Sequence, residues 1–178
     1  MEDLSLHILD IVENSITAKA SKVRIELVDD ETSDTFTLTI SDNGVGMDED
    51  TLKRALDPFF TTKTVRNFGM GIPLLAQSAE ECGGRLTIES VPSKGTTLRA
   101  TFQRGHLDMK PIGDIGATMI TLIAGHPEVD YELVYNRQGY CYEINTAELR
   151  AELKEEGLRD PVVLDYIKRH VNEGIKGA

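Results

Sequence analysis

Two glycine-rich turns, DNGVGMD at 42–48 and NFGMGI at 67–72, place the tightest limits on what this chain can fold into. The first follows an alternating run that ends at Ile40, and the second leads into a helical pattern. Asn43–Gly44 is a turn signal, and Gly46 permits a second unusual backbone angle or the close approach of another group. Gly69 and Gly71 stand just ahead of a helix, where free N–H groups and the helix dipole favour an anion. No GxxxxGK[ST] phosphate loop occurs anywhere in the chain. The parallel βαβ setting that a dinucleotide fingerprint requires is also missing from the pattern.

The surrounding periodicity predicts an α+β two-layer sandwich with a largely antiparallel sheet. Over 4–19, Leu4, Ile8, Ile11 and Ser15 fall at helical spacing, with Leu9, Val12 and Ile16 widening the stripe. Alternating runs at 23–27 and 36–40 flank a polar turn and read as a hairpin. Asp48 is placed to cap a short helix that Asp57–Pro58 ends, and 57–70 is a long glycine- and threonine-bearing loop. A helix follows over 71–82, stopped by Gly83–Gly84, and then strands at 85–91 and 96–103. After Gly105 the character changes. A helix over 112–124, a hairpin of 131–135 with 140–144, and two charged helices are expected, with Thr146 capping one and Pro161 in the first turn of the other. The expected organisation is a first domain over 1–105 and a C-terminal helix-hairpin-helix extension over 106–178, packed on the first.

Chemistry concentrates in the first part. Asp10, Asn14 and Thr17 are spaced i, i+4, i+7 and project from one helix face. Asn14 offers a neutral oxygen suited to Mg²⁺, a hard cation that shares its shell with phosphates and water. Asp10, one turn earlier, is placed to orient or deprotonate a group attacking a terminal phosphate. Asp42, just past the end of a strand, can accept a hydrogen bond from an exocyclic amine such as adenine carries. Taken singly, these motifs fit an ordinary amphipathic helix, a tight turn and a helix start equally well.

Taken in order, they resemble the GHKL superfamily over residues 4–103. The motifs are the Asn14 helix, the strand-end DxGxG, the GxG before a helix, and Gly95-Thr96-Thr97 entering a strand. That superfamily groups DNA gyrases, large heat-shock chaperones, histidine kinases and mismatch-repair ATPases around one Bergerat-type ATP-binding fold. The resemblance implies that Asn14 holds Mg²⁺, that Asp42 reads adenine, and that Gly44 and Gly46 form a first glycine box. Gly69 and Gly71 would form a second, with Met47, Thr62, Phe68 and Met70 among the nucleotide contacts. Thr96 matches a threonine near adenine, with the neighbouring Thr97 as the alternative. The segment DPFFTTK at 57–63 resembles the phenylalanine-bearing lid of histidine kinases, in which Lys63 approaches the phosphates. ENSITAKASKVRIEL at 13–27 is closer to mismatch-repair ATPases. Asn67 stands where histidine kinases commonly have glycine, and Asp10 where hydrolytic members usually have Glu.

The formal net charge of −11, with no basic block in either part, argues against nucleic-acid binding. Cys82 and Cys141, far apart and outside any CxxC pair, predict reduced thiols. With no secretory signal and no membrane span in the pattern, a cytoplasmic location is expected. Histidine kinases also carry a phosphoacceptor histidine on a dimerising helix pair. His7 is expected to be structural, and His106, His126 and His170 share no metal-ligand spacing. The expected function is therefore an ATP- and Mg²⁺-binding regulatory protein kinase that acts in trans on a protein partner. The alternative is an ATP-dependent switch or slow ATPase that docks a partner, and a homodimer fits either. A repair-type clamp on DNA is disfavoured by the charge.

Overall fold

A computed structural model of the protein describes residues 3–55 and 70–177, with the side chains of 154–156 outside that description. The expectations for Thr62, Lys63, Phe68, Gly69 and the rest of 57–69 fall outside the described residues.

Six strands form one sheet in the order β3-β4-β2-β1-β5-β6. They are β1 (Lys22–Asp30), β2 (Thr35–Asp42), β3 (Arg85–Val91), β4 (Gly95–Gln103), β5 (Asp130–Arg137) and β6 (Tyr140–Asn145). Every pairing is antiparallel except β1 with β5, which runs parallel from Lys22 against Asp130 to Asp29 against Arg137. The helices are α1 (Leu4–Thr17), α2 (Glu49–Ala55), α3 (Gly71–Glu81), α4 (Ile115–Gly125), α5 (Thr146–Leu158) and α6 (Pro161–Lys176). Together these are the two layers of an α+β sandwich.

Alternation explains the layers. In β1, Val23, Ile25 and Leu27 are fully buried while Arg24, Glu26 and Val28 are only partly covered. Leu38 and Ile40 of β2, Leu98 and Ala100 of β4 and Leu133 of β5 continue the same buried face. One face therefore carries the helices, and the other turns polar residues outward. On that outer face Glu132 of β5 pairs with both Lys22 and Arg24 of β1.

Residues 106–178 add β5 and β6 to the sheet edge beside β1. α4 carries few polar groups and lies against α1 and α6. Thr118 donates to the Ser5 carbonyl of α1 at 3.1 Å. Asn172 of α6 accepts from the Gly116 N–H at 2.9 Å and donates to Asp114, the residue that caps α4, at 2.7 Å. At the far end of β5, Arg137 and Arg104 share the Glu31 carboxylate, both at 2.6 Å. The Arg137 hydrogen bond, with the Arg104 charge beside it, holds that carboxyl below its usual range.

α1 begins at Asp3, whose carboxylate accepts from the Leu6 N–H at 3.1 Å. It ends where Lys19 takes a positive φ of 60°. Its inner face buries His7 completely, and neither imidazole nitrogen has a hydrogen-bond partner among the described residues. Desolvation, with the Lys110 charge nearby, lowers its pKa from 6.5 to about 4. Between those values the unfolded chain binds a proton that the folded chain refuses, so stability falls as the pH drops through that window. The full window amounts to roughly 3 kcal/mol, and His7→Leu removes it. Urea melts of both proteins from pH 7 to pH 4 check this; parallel acid limbs would show that His7 is not held neutral.

Candidate functional site

The Asp42–Asp48 turn leaves the end of β2 and passes between the C-terminus of α1 and the β3–β4 turn. Three backbone bonds hold it there. Asn43 donates to Lys22 at 3.3 Å, Val45 donates to Ala18 at 2.9 Å, and Ser93 donates to Val45 at 2.7 Å. Gly46 has φ +66°, and a Cβ there would lie 2.1 Å from the Val91 carbonyl oxygen. Gly95 opposite has φ +103°, and a Cβ there would lie 1.9 Å from the Asp42 carbonyl oxygen. Only glycine lets these two turns touch.

Their contact fixes Asp42. Its Oδ1 accepts from the Gly44 N–H at 2.9 Å and from the Thr96 N–H at 3.3 Å, and its Oδ2 accepts from the Ser15 hydroxyl at 2.7 Å. A carboxylate has about four acceptor positions, so a fourth donor can still be taken from a ligand. Ser90 supports the same end: its hydroxyl accepts from the Met47 N–H at 2.8 Å and lies 2.8 Å from the Thr96 hydroxyl.

Asp42 stands in the wall of a cleft between α1 and the sheet. Ile11, Ile40, Ile72, Ile88 and Leu98 supply apolar walls suited to a flat heterocycle. Asn14, Thr17, Gly46, Met47 and Thr96 also line it. The Nδ2 of Asn14 is buried without a hydrogen-bond partner among the described residues. An amide left unpaired in this way calls for a ligand or an ordered water. Thr17 bonds back to the Glu13 carbonyl at 2.9 Å.

Thr97 lies elsewhere: its side chain is 3.1 Å from the Ser41 hydroxyl, and Thr96 is the threonine in the cleft. Asp10 is exposed and lies against the start of α3, where a Cβ on Gly71 would come within 2.9 Å of the Asp10 Cβ. Met70, exposed, precedes α3 without a capping side-chain bond. Ser15 and Ser90 were not singled out by motif. Ser15 left one signal, a hydroxyl inside the apolar stripe of α1 beside Asn14. Ser90 left none.

None of the four histidines lines the cleft. His7 is in the core, His126 lies between Glu13 and Glu128, His106 is beside Asp108, and His170 stacks on Tyr166. Among the described residues, no three His, Cys, Asp or Glu side chains cluster as a metal site. A magnesium ion at Asn14 would thus draw on one amide oxygen, phosphate oxygens and water, the usual shell of a nucleotide-bound ion. No helix among the described residues is long and apolar enough to cross a membrane.

An α+β sandwich whose apolar cleft carries a hydrogen-bonded carboxylate in its wall fits the class of nucleotide-binding domains. The chain belongs to the histidine kinase-, DNA gyrase B- and HSP90-like ATPase family, whose model matches residues 2–106. It is 32% identical over 103 residues to a putative sensor protein of Shewanella frigidimarina, covering 57% of this chain and 16% of that protein. It is 39% identical over 89 residues to the sensor protein kinase FleS of Pseudomonas aeruginosa, covering 50% of this chain and 22% of that one. The chain thus spans under a quarter of the length of these two relatives. In fold it is similar to the Aquifex aeolicus MutL ATPase domain complexed with ADP. That likeness has a TM-score of 0.51 at 18% identity, over 87% of this chain and 68% of the other. It therefore extends past the family-matched residues into the α4–α6 region.

Proposed function

We propose that the chain binds ATP with Mg²⁺ and passes the terminal phosphoryl group to a protein acceptor on another chain, as a histidine-kinase-like regulatory kinase. The observation that carries this reading is the Asp42 carboxylate, held by Ser15, Gly44 and Thr96 at the wall of an apolar cleft that also contains the unpartnered amide of Asn14. Asp42 accepts from the purine amine, Thr96 supports the ring edge, and the start of α3 receives phosphate oxygens. Asn14 would hold the ion through its amide oxygen. When bound, Mg²⁺ neutralises charge on the phosphates. Asp10, exposed beside Gly71, takes the proton from the incoming hydroxyl or imidazole as its bond to phosphorus forms and the bond to the leaving oxygen breaks.

Asp10→Asn is expected to lower phosphoryl transfer from γ-labelled ATP to an acceptor about a hundredfold while changing ATP affinity less than threefold. Label on no acceptor from a wild-type protein that binds ATP firmly would refute the kinase reading. One arrangement favours a second reading, an ATP-dependent switch. α1 carries Asn14 on its cleft side and packs against α4 elsewhere, so nucleotide contact and the C-terminal elements share one helix. Slow hydrolysis without transfer, with ATP-dependent protection of the C-terminal helices from proteolysis, would support that second reading.

A further inference from the structure

α5 and α6 diverge from their connection and leave a groove over β6 that shares no lining residue with the nucleotide cleft. Ile144 of β6 is on its floor. Leu149 and Leu153 line one side, one turn apart on α5, and Val162 and Tyr166 line the other on α6. Leu153, Val162 and Tyr166 are 42%, 76% and 61% exposed, so the apolar face stands open rather than closing on itself. These three large apolar side chains share one groove rather than standing singly on the surface.

Charge selects the occupant. The carboxylates lining the groove are Glu143, Glu148 and Glu152, the last two one turn apart alongside the leucine ridge of α5. Among the described residues, the only other titratable side chain in the lining besides Tyr166 is His170, whose ring stacks on Tyr166 with centroids 5.7 Å apart and planes 8° from parallel. An apolar trough with an acidic wall complements an amphipathic helix that presents one leucine-like stripe flanked by Lys or Arg. A second copy of this chain, with a net charge of −11, would bring like charge to that wall.

We propose that the groove between α5 and α6 is a docking site for a basic amphipathic helix of a partner protein. This assignment does not depend on nucleotide binding. The probe is a fluorescent fourteen-residue Leu/Lys peptide with a single apolar face, titrated into the full chain at fixed ionic strength. A Leu/Glu peptide of the same pattern is the control. The expected result is at least tenfold tighter binding of the Leu/Lys peptide. Leu153→Asp with Tyr166→Asp should weaken it at least tenfold, and Glu148→Gln with Glu152→Gln at least threefold. Hydrogen exchange on the wild type should show peptide-induced protection concentrated in 143–170, which tests the site without relying on any variant's folding. Equal affinity for the two peptides, binding indifferent to both pairs of substitutions, or protection elsewhere would overturn the proposal. A concentration-dependent dimer that Leu153→Asp with Tyr166→Asp dissociates would overturn it too, by giving the groove to a second copy.

Discussion

Asp42→Asn is expected to weaken ATP binding at least a hundredfold, about 3 kcal/mol. The loss has a local cause. The carboxylate is acceptor-only and receives donors from Ser15, Gly44 and Thr96. An asparagine must turn its amide nitrogen either toward the Gly44 and Thr96 N–H groups or toward the purine amine, and each choice sets donor against donor. Ser15→Ala removes only one support and leaves both Oδ1 bonds in place, so a loss of about tenfold is expected. Titration calorimetry with Mg²⁺–ATP measures both. If Asp42→Asn kept wild-type affinity, this cleft would not be the nucleotide site.

The largest effect on stability is expected at Gly95. Gly95→Ala combines a φ of +103° with a Cβ only 1.9 Å from the Asp42 carbonyl oxygen. That contact is with backbone, which no rotamer change can relieve. Left-handed strain and forced separation of the two turns together cost about 3 kcal/mol or more, enough to lower Tm by roughly 10 °C in a chain of this size. Gly139→Ala separates the two terms, because Gly139 has φ +83° but nothing within 4 Å of its would-be Cβ. Only the strain remains there, about 1 kcal/mol. Thermal melts that ranked the two variants equally would show that the touching turns are not what makes glycine necessary at 95.

The same pair of turns shows how far local pattern carries. Asn43–Gly44, Gly46 and Gly95 announce backbone that side chains would obstruct, and Asp42 stands next to such a turn at a strand end. Those signals are local, so they survive in a linear reading. Alternation in β1 and β2 likewise exposes the hairpin, whose partners are joined by a four-residue polar turn. Ser90 is different. Its role depends on Met47, which lies 43 residues away, and nothing near 90 records that partner. His7 shares the stripe of α1, but its burial without a partner comes from tertiary packing that nothing near position 7 records. The choice between Thr96 and Thr97 turned on β4 facing: Thr96 enters the cleft, and Thr97 meets Ser41 on the opposite face.

The parallel pairing of β5 with β1 was the least legible feature. Hairpins close through short turns, whereas this pairing joins residues more than a hundred positions apart in the chain. Period and turn chemistry alone thus settled most element types and the α+β class, because each depends on neighbours within a few residues. Only the folded chain decided which hydroxyls secure Asp42, which threonine faces the cleft and how 106–178 enters the sheet. Those outcomes follow from long-range packing, in which a side chain's surroundings come from strands and helices distant in sequence.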